Sequence, residues 1–392
     1  MELKKYKLGE ILELQRGYDL PSSKMENGSV PVAGSNGIIG YHNVAKIQPP
    51  CLTIGRSGSV GKVHFYEEPI WPHNTSLYVK DFKGNDERYV YYLLKNIDLS
   101  KLCDSSVVPS LNRNYVYPLE VFFYCDKINQ RRIASVLSSL DSKITLNRRI
   151  NTKLETIAKR LYDYWFVQFD FPDANGNPYK SSGGKMVWND ALKREIPEGW
   201  EVKRLGEIIS VKDGTHDSPK QQSEGKYLIT SKHLTSFGID FQNAYLISDD
   251  DFNEINRRSE VNQSDILFSM IGTIGNKYLV TEKEIDFAIK NMALIKTSEN
   301  KSIVYFVWQC LESIDYERYE KNAISGSIQK FLSLDSMRNI PIIFNNILIQ
   351  KFNTMVSDCF RLKANIINET SRLTALRDKL LPLLMNGQVE VA

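Results

Sequence analysis

The stretch GRSGSVGKVHF, residues 55–65, places three glycines and a lysine close together, as loops that bind nucleotide phosphates do. A Walker loop requires a glycine, four further residues and then Gly-Lys-Ser/Thr, because the hydroxyl group binds the magnesium ion. Counting back from Gly61-Lys62, the first glycine position holds Arg56, and the residue after the lysine is Val63. The flanking segments CLTI and KVHFY predict two strands rather than a strand and a helix. The spelling argues against a nucleotide site and leaves open a plain glycine turn in a sheet.

Motifs of other enzyme classes are also missing from the sequence. A DNA adenine methyltransferase needs an [DNS]-P-P-[YFW] catalytic loop, but the Pro-Pro dipeptide here follows Gln48 and precedes Cys51. No carboxylate cluster indicates a metal-dependent nuclease, and no Ser/His/Asp or Cys/His set is identifiable. These absences count against an enzyme, and we predict no catalytic residues.

The cysteines carry no sign of a metal site or a disulfide framework. There are five, an odd number, and they are widely spaced without a C-x-x-C pair: Cys51, Cys103, Cys125, Cys310 and Cys359. We expect reduced, mostly packed thiols of a cytoplasmic protein. Because no histidine lies near a cysteine pair, we predict no zinc site.

The composition is that of a globular protein long enough for two or three domains. The chain has 392 residues, of which 42% are hydrophobic and 25% charged. No apolar run approaches the ~18–20 residues of a membrane span, and the N-terminal MELKKYKLGEI lacks the apolar core of a signal peptide. A net charge of +3 is only weakly basic, so any nucleic-acid surface must depend on where the charges lie.

The most informative pattern is an internal repeat, because five segments of the first half return in the same order in the second half. The difference in residue number between the two segments of a pair changes along the chain, as loop insertions would produce. The pairs are KLGEI (7–11) with RLGEI (204–208), GSVGKVHF (58–65) with GTIGNKYLV (272–280), WPHNTSLYV (71–79) with AIKNMALIK (288–296), SSVVPSLNRNYVYPLEV (105–121) with SGSIQKFLSLDSMRNIPII (325–343), and NQRRIASVL (129–137) with IQKFNTMVS (349–357). The third pair places Asn74 against Asn291. The order of elements is therefore domain, helix, domain, helix.

Each half ends in a long helix with the 3.5-residue period of a coiled coil. The first helix predicts a seam of Ile133, Leu137, Leu140, Ile144, Asn147, Asn151, Leu154, Ala158 and Leu161. The second predicts Phe352, Val356, Cys359, Ile366, Leu373, Leu376, Leu380 and Leu384, with a stutter near Lys363. Two such helices in one chain most simply pair with each other antiparallel. A homodimeric coiled coil is the alternative.

Two asparagines and an excess of positive charge mark the first helix. Asn147 and Asn151 in the seam either fix register or partner choice, or face solvent where the helices splay. Residues 127–163 contain nine Lys/Arg and three Asp/Glu. Most such runs are solvated helix faces, but they also favour an acidic partner or duplex phosphates.

Several segments resemble the specificity subunits of type I restriction–modification enzymes. Residues 165–208 resemble their central connector, in which SSGGKM and IPEGW are particularly characteristic. DGTHDSP at 213–219 resembles the opening of one common class of second target-recognition domain. The QRRI…LNRRI…L helix is similar to their first spacer helix, and LRDKLLPLLMNGQV to the end of their second. The resemblance covers essentially the whole chain, although residues 12–125 and 220–340 match only in outline.

The resemblance implies a non-enzymatic DNA-recognition subunit of α+β class. Two similar globular mixed α/β target-recognition domains would each recognise one half of a split, asymmetric site. Two long helices, forming an antiparallel intramolecular coiled coil, would fix the unread gap and relate the domains by a pseudo-two-fold repeat. A helix of about 36 residues is about 54 Å long, which exceeds one turn of DNA (~34–36 Å). The predicted boundaries are 1–125 and 201–345 for the recognition domains, 126–168 and 346–386 for the spacer helices, and 169–200 for the connector.

The resemblance also implies partners. These are double-stranded DNA, two methyltransferase subunits packed on the helices, and restriction subunits. The partners would use S-adenosylmethionine, ATP and magnesium, and this chain itself would bind no cofactor. The cations expected to contact partner subunits are Arg131, Arg132, Arg148, Arg149, Lys153, Arg160 and Arg372.

Polar residues on glycine-rich loops are the candidates for DNA contact. Amides and Arg/Lys suit base edges, whereas hydroxyls and lysines more often bind phosphate. In the first domain they are Ser35, Asn36, Tyr41, His42, Arg56, Ser57, Lys62, His73, Asn74, Ser105, Ser106, Asn112 and Arg113. In the second they are Thr215, His216, Ser231, Lys232, His233, Thr273, Asn276, Lys277, Lys290, Asn291, Ser325, Ser327, Gln329 and Lys330. The alternative is plain hairpin turns facing solvent, with His42 or His73 as polar packing residues.

Two other functions compete with DNA recognition. An NTPase or methyltransferase would bind labelled ATP or S-adenosylmethionine as an isolated chain. A structural coiled-coil scaffold would bind DNA without sequence preference or not at all, and it leaves the repeated glycine-loop domains unexplained.

Overall fold

The computed structural model describes residues 3–102, 109–235, 238–326 and 330–391. Its contacts divide the chain into two compact units, each described by itself below. Unit 1 comprises Met1–Leu146 and Thr370–Ala392, and unit 2 comprises Asn147–Glu369. Unit 2 is thus one continuous segment, inserted in sequence between the two parts of unit 1.

Unit 1 is built from short strands and three short helices, followed by one long helix. The strands are β1 (Leu3–Lys7), β2 (Glu13–Arg16), β3 (Val30–Gly34), β4 (Gly37–His42), β5 (Cys51–Gly55), β6 (Val63–Tyr66), β7 (Trp71–Pro72), β8 (Ser76–Asp81) and β9 (Glu120–Tyr124). The helices are α1 (Leu8–Ile11), α2 (Glu87–Lys95), α3 (Arg113–Val116) and α4 (Lys127–Tyr162), the last continuing into unit 2.

Unit 2 contains a connector hairpin and then a second set of the same elements. The hairpin consists of β10 (Met186–Asn189) and β11 (Arg194–Pro197). The further strands are β12 (Glu201–Arg204), β13 (Val211–Asp213), β14 (Lys226–Thr230), β15 (Leu234–Thr235), β16 (Gly238–Ile239), β17 (Tyr245–Ile247), β18 (Ile266–Ser269), β19 (Lys277–Leu279), β20 (Phe287–Lys290), β21 (Met292–Ile295) and β22 (Pro341–Phe344). The helices are α5 (Leu205–Ile208), α6 (Asp249–Ser259), α7 (Val304–Cys310), α8 (Ile314–Ala323), α9 (Leu334–Arg338) and α10 (Asn346–Met385), which continues into unit 1.

The two units have the same strand pairing. In unit 1 the sheets run β2-β8-β5-β6, β4-β3-β7 and β1-β9, and in unit 2 they run β13-β21-β18-β19, β17-β14-β20 and β12-β22. Strands β3 and β7 pair in parallel, as β14 and β20 do, whereas all other pairs of these sheets are antiparallel. The internal repeat predicted from five sequence pairs is confirmed.

The repeated motif KLGEI/RLGEI has a local physical role in both units. It forms the short helices α1 and α5, each of which follows a strand. The glutamate caps the start of its own helix, since the Lys7 N–H donates to Glu10 Oε2 at 2.8 Å and the Arg204 N–H to Glu207 Oε2 at 2.9 Å. The leucine is fully buried in each case.

The core of unit 1 joins the sheet to both long helices. Leu14, Leu52 and Tyr89 are buried in the same cluster as Leu137 of α4. Leu381, Leu384 and Met385 of α10 complete this cluster, although they follow in sequence only after the whole of unit 2. Unit 1 therefore needs its C-terminal part to close its core.

The core of unit 2 contains the aromatic connector. Phe166 packs edge-to-face on Phe306 and Phe352, with ring centroids 4.9 and 5.6 Å apart. Phe171 and Trp200 pack against each other with their rings tilted by 30° and their centroids 5.0 Å apart. The guanidinium of Arg194 holds the end of this segment by donating to the carbonyls of Phe166 and Val167, each at 3.0 Å.

The two long helices pair antiparallel within each unit. In unit 1, Arg377 Nη1 donates to Asp141 Oδ1 at 2.8 Å. In unit 2, Lys363 pairs with Glu155, and Asn147 Nδ2 donates to Glu369 Oε2 at 2.8 Å. Residue numbers rise along one helix as they fall along the other, so the intramolecular coiled coil is confirmed.

The predicted seam agrees with the burial pattern except at one position. All nine predicted positions of α4 are buried or half-buried. On α10, Leu376 is 45% exposed, and the neighbouring Arg377 turns inward instead. The prediction for Leu376 was wrong because Arg377 buries its charge against Asp141, which an apolar pattern cannot reveal. Asn147 and Asn151 are 1% and 7% exposed, so the solvent-facing interpretation of them was also wrong.

Four of the five cysteines lie within the described ranges, where Cys51 and Cys310 are buried, Cys359 is half-buried and Cys125 is exposed. Cys51, Cys125, Cys310 and Cys359 are free thiols, and burial raises the pKa of Cys51 to about 11. Among the helices in those ranges, none is long and apolar enough to cross a membrane. The same part of the chain contains no group of three or more His, Cys, Asp or Glu side chains placed to hold a metal ion.

Candidate nucleic-acid interface

Three loops of unit 1 meet where β3, β5 and β7 end. They are the β3–β4 turn (35–36), the β5–β6 loop (56–62) and the β7–β8 loop (73–75). The backbone N–H groups of Arg56 and Ser57 both donate to the Thr75 carbonyl, at 2.8 and 3.2 Å. The ammonium group of Lys62 donates to Asn36 Oδ1 at 2.7 Å. Hydrogen bonds therefore hold these loops as one surface, here called the unit 1 loop cluster.

The glycines of GRSGSVGKVHF allow the β5–β6 loop to fold back on itself. The N–H of Gly61 donates to the Gly55 carbonyl at 2.9 Å, and that of Gly55 to the Lys62 carbonyl at 2.7 Å. A Cβ on Gly55 would lie 2.0 Å from the Ser59 carbonyl oxygen, and Gly61 has a φ of 79°. Both flanks are strands, as predicted, so the loop closes a hairpin and is not a nucleotide-binding turn.

Hydrogen bonds to neighbouring side chains orient two residues of the β7–β8 loop, Asn74 and His73. Asn74 donates through Nδ2 to Asp19, which follows β2. The His73 Nδ1 atom lies 2.9 Å from Thr75 Oγ1. Burial lowers the pKa of His73, which favours the neutral imidazole.

Unit 2 places corresponding residues at the ends of its corresponding strands. Thr215 bridges in parallel to Lys290, as Tyr18 bridges to His73 in unit 1. This register makes Asn291 the counterpart of Asn74, as the sequence repeat predicts, and makes His216 the counterpart of Asp19. These residues, with Asp213, Ser218 and the loop 270–276, form the unit 2 loop cluster.

Within the unit 2 loop cluster, hydrogen bonds connect the segment 213–218 with Lys290 and Asn291. His216 lies between two partners, with Nδ1 2.9 Å from Asn291 Oδ1 and Nε2 2.8 Å from Asp213 Oδ2. The Lys290 ammonium donates to Ser218 Oγ. Asn291 has a φ of 54°, a left-handed conformation that asparagine adopts more readily than most residues.

Comparison with known proteins identifies the family. A sequence profile described as the type I restriction modification DNA specificity domain matches residues 1–156 and 197–369. The chain belongs to this family.

Named relatives and a solved structure agree with the profile. The chain is 27% identical over 341 residues to the type I restriction enzyme MjaIX specificity subunit of Methanocaldococcus jannaschii, covering 85% of this chain and 76% of the relative. It is 24% identical over 333 residues to the HindI specificity subunit of Haemophilus influenzae, covering 67% and 68%. The crystal structure of a type I restriction–modification S subunit from M. genitalium aligns with a TM-score of 0.64 at 16% identity, over 98% of this chain and 96% of that one.

In this member of the DNA specificity family, most of the first-domain residues predicted to contact DNA lie in the unit 1 loop cluster. These are Ser35, Asn36, Arg56, Ser57, Lys62, His73 and Asn74. Asn112 lies beside them, since it caps α3 directly after Leu111, whose N–H donates to the Arg56 carbonyl at 2.8 Å. Arg113 Nη1 donates at 3.1 Å to the Leu14 carbonyl, an internal contact.

His42 and its neighbour Tyr41 lie away from this cluster. They are at the end of β4 remote from the β3–β4 turn, about 16 Å along the strand at ~3.3 Å per residue. His42 is buried, its Nδ1 accepts from the Glu26 N–H at 3.1 Å, and its ring packs edge-on against Trp71. For His42 the packing interpretation is the one that the geometry favours. Ser105 and Ser106 lie outside the described residues.

Of the residues predicted to contact DNA in the second domain, some lie at the surface and others in the interior. His216, Ser231, Lys232, Thr273, Asn276 and Asn291 follow the ends of β13, β14, β18 and β20, and Lys290 is the last residue of β20. All seven are exposed or half-buried. Thr215 is buried, and His233 is 1% exposed with Nδ1 accepting from the Thr230 N–H at 3.0 Å. Ser325 and Lys330 are exposed, and Ser327 and Gln329 lie outside the described residues.

Lys277 differs from its apparent counterpart Lys62. Its ammonium lies 3.0 Å from Glu312 Oε1 and over the Trp308 ring, in the wall of a cavity of about 250 Å³. The backbone shows why, because the Ser269 N–H donates to the Asn276 carbonyl as the Gly55 N–H donates to that of Lys62. Asn276, not Lys277, therefore corresponds to Lys62.

Sequence reasoning missed Asp19, Asp213 and Thr75. Each is defined by a long-range partner: Asn74 for Asp19, His216 for Asp213, and the Arg56 N–H for Thr75. The sequence signal that could have found Asp19 is the repeat itself, because alignment of the strands places it against His216.

The helix cations expected to contact partner subunits are all exposed. This holds for Arg131, Arg132, Arg148, Arg149, Lys153, Arg160 and Arg372. Among them, Arg131 lies 3.8 Å from Asp86 Oδ2, a distance at which an exposed ion pair contributes little.

Proposed function

We propose that this chain is the DNA-recognition subunit of a type I restriction–modification complex, with each unit reading one half of a bipartite, asymmetric site. The family carries the first part of the proposal. The repeated strand pairing carries the second, because two copies of one fold present different polar residues at corresponding loops. The role is non-catalytic and belongs to a subunit that acts within a complex.

The chemistry of the loop clusters suits a DNA duplex. Arg56 and Lys62 supply positive charge beside backbone turns, and Asn74, His216 and Asn291 supply amide and imidazole groups that hydrogen-bond to base edges. The hairpin geometry of residues 55–65 removes the main argument for an NTPase.

The proposal includes partners and a location. Two methyltransferase subunits would dock on the long helices through the exposed cations named above, and restriction subunits would join them. S-adenosylmethionine, ATP and magnesium would be used by those partners. The proposed function implies the cytoplasm, where the DNA substrate is found.

A domain exchange tests the proposal. The chain is co-purified with its cognate methyltransferase subunit, and methylated adenines are mapped across a genome by single-molecule sequencing. We expect a split motif with two short blocks and an unread gap. Replacing residues 1–125 with another recognition domain should change one block and leave the other and the gap unchanged.

Three results would contradict the proposal. A change in both blocks would contradict the model of two independent readers. A continuous motif would contradict the helical spacer, and sequence-blind DNA binding would favour the scaffold function. The matched control is an exchange of residues 1–125 for a domain with the same known half-site, which should leave the whole motif unchanged.

A further inference from the structure

We infer that Asn74 and Asn291 each read one adenine, and that Asp19 and His216 are positioning residues that fix the orientation of these two amides. The inference rests on the proposed DNA-recognition function and deepens it, because it names the base and the atoms in each unit that recognise it.

The two asparagines occupy corresponding positions although their surroundings differ. Each directly follows the residue that bridges in parallel to the strand beside it, His73 in unit 1 and Lys290 in unit 2. Each contacts the residue after the other member of that bridge, which is Asp19 in unit 1 and His216 in unit 2. An asparagine and its neighbour thus recur as a pair, while the neighbour has changed from an acid to an imidazole.

In unit 1 the carboxylate of Asp19 fixes which way the amide faces. A carboxylate only accepts hydrogen bonds, so Asn74 turns its Nδ2 group toward it. Asn74 Oδ1 has no hydrogen-bond partner among the described residues, and the tether uses one of the two N–H bonds. The oxygen and one N–H are left for a ligand.

In unit 2 the imidazole gives the same result through its tautomer. Asp213 accepts at His216 Nε2, which places the proton of a neutral imidazole there. Nδ1 then carries a lone pair, and the structure has Asn291 Oδ1 facing it at 2.9 Å. Rotating the amide by half a turn, which exchanges two atoms of nearly equal size, brings the amide nitrogen there as the donor to Nδ1. Asn291 then also presents Oδ1 and one N–H.

An amide fixed in this way discriminates among bases. In the major groove adenine offers the N6 amino donor next to the N7 acceptor, which an Asn oxygen and N–H match together. Guanine offers two acceptors, O6 and N7, so a fixed amide oxygen would face another oxygen. A freely rotating amide would lose part of this selectivity, which is the contribution of Asp19 and His216.

Cationic groups beside both asparagines complete the site. Arg56 Nη1 lies 3.5 Å from the Asn74 carbonyl, and Lys290 precedes Asn291 in the chain. Phosphate contacts from such groups set the register of a protein on the duplex without carrying sequence information. The amide would then supply the base-specific contact.

The test uses the full chain in complex with its methyltransferase subunit. The methylation motif is mapped first, and the exchange of residues 1–125 assigns each block to a unit. Duplexes are then prepared in which each adenine of the unit 2 block is replaced, one at a time, by 7-deazaadenine, which lacks the N7 acceptor. Affinities are measured without S-adenosylmethionine for the wild type, for Asn291→Gly and for the control Asn262→Ala, an exposed asparagine of the same unit. Glycine is chosen because it adopts the φ of 54° without strain.

We expect one adenine at which 7-deaza substitution weakens wild-type and N262A binding about tenfold, as loss of one good base contact would. The same substitution should leave the affinity of N291G unchanged, because the amide is already missing. N291G should itself bind the native site about 5- to 150-fold more weakly, the range for one bidentate contact. N74A should behave in the same way at one adenine of the other block.

The positioning role predicts a separate result. H216F removes both ring nitrogens and should reduce the preference for adenine over guanine at that position, while retaining the thermal unfolding midpoint of the wild type. H216Q keeps one donor and one acceptor and should restore the preference. A merely structural histidine would lower the affinity for both bases equally.

The outcomes separate the inference from the proposed function. If no bipartite motif is found, both fail. A bipartite motif whose unit 2 block lacks adenine, or in which no adenine couples to Asn291, overturns the inference and leaves the proposed function standing. An H216F variant with an unchanged preference overturns the positioning role.

Discussion

Two lysines show how far a single residue depends on its register. Lys62 and Lys277 both follow a glycine-rich loop, but only Lys62 is exposed, whereas Lys277 is held against Glu312 and Trp308. Of these two lysines, Lys62 in unit 1 is therefore the one whose ammonium group is exposed for contact with a DNA phosphate. Lys277 lies one position after Asn276, the residue that corresponds to Lys62, and this shift of one position places its ammonium group in the interior.

This difference predicts the salt dependence of DNA binding. Removing one phosphate contact lowers the slope of log affinity against log salt by about 0.9. We expect Lys62→Ala to show this change between about 50 and 200 mM salt. Lys80→Ala, an exposed lysine at the other end of β8 that pairs with Glu13, is the control and should keep the wild-type slope. Equal slopes for all three proteins would contradict a phosphate contact at Lys62.

The half-buried imidazole of His64 predicts a pH dependence of stability. Burial lowers the pKa of His64, and the nearby charge of Lys62 lowers it further. The unfolded chain therefore binds a proton at higher pH than the folded chain, so this contribution is complete above the unfolded pKa of about 6.5 and is lost as the pH falls.

The measurement is the urea midpoint of unfolding at about pH 7.5 and about pH 5.5, on either side of that pKa. We expect the wild-type midpoint to fall at the lower pH and His64→Gln to lose less. The variant should keep part of the dependence, because burial also lowers the pKa values of His73 and His233. An equal loss in both proteins would show that His64 makes no contribution.

At the scale of elements, the periodic sequence patterns predicted more of the structure than the sequences of the loops did. The repetition of the LGEI segment, the two strands flanking the β5–β6 loop and the seam positions of α4 could be predicted, because short-range spacing determines them. Arg377 could not, since its burial depends on Asp141, more than 200 residues away in sequence. The candidate site was predicted only in part for the same reason: Asp19 and Thr75 acquire their roles from residues on other strands.

The half-buried ion pair between the two long helices predicts a measurable coupling energy. Asp141 accepts from Arg377 at 2.8 Å and from the Tyr92 hydroxyl at 2.8 Å. We expect Arg377→Ala to lower the free energy of unfolding by about 1–3 kcal/mol, because it leaves a half-buried carboxylate without its cation. A double-mutant cycle with Asp141→Ala should give a coupling of at least about 1 kcal/mol.

The control for this cycle is on the same helix. Arg361 is exposed and pairs with Asp358 one turn away, so Arg361→Ala should change the free energy by less than about 0.5 kcal/mol. If Arg377 and Arg361 gave equal effects, the pair with Asp141 would be no stronger than a surface contact.

At the scale of the whole molecule, the division into two units predicts a localised effect of mutation. Leu384 is 2% exposed in the core of unit 1, so Leu384→Ala should cost about 2–5 kcal/mol. Amide hydrogen exchange should then speed up in residues 8–14 and 89–94 of unit 1 and remain unchanged in residues 266–295 of unit 2. Leu376→Ala, at the exposed position of the same helix, should change neither region. Faster exchange in both units would show that they unfold as one.

The insertion of unit 2 between the two parts of unit 1 also has a consequence during synthesis. The core of unit 1 is incomplete until Leu381, Leu384 and Met385 have been made, more than 220 residues after Leu146. At about 5–20 residues per second, the ribosome needs roughly 10–45 s for this interval. The unit that is translated first therefore waits, with an apolar helix face uncovered, until translation of the other is complete.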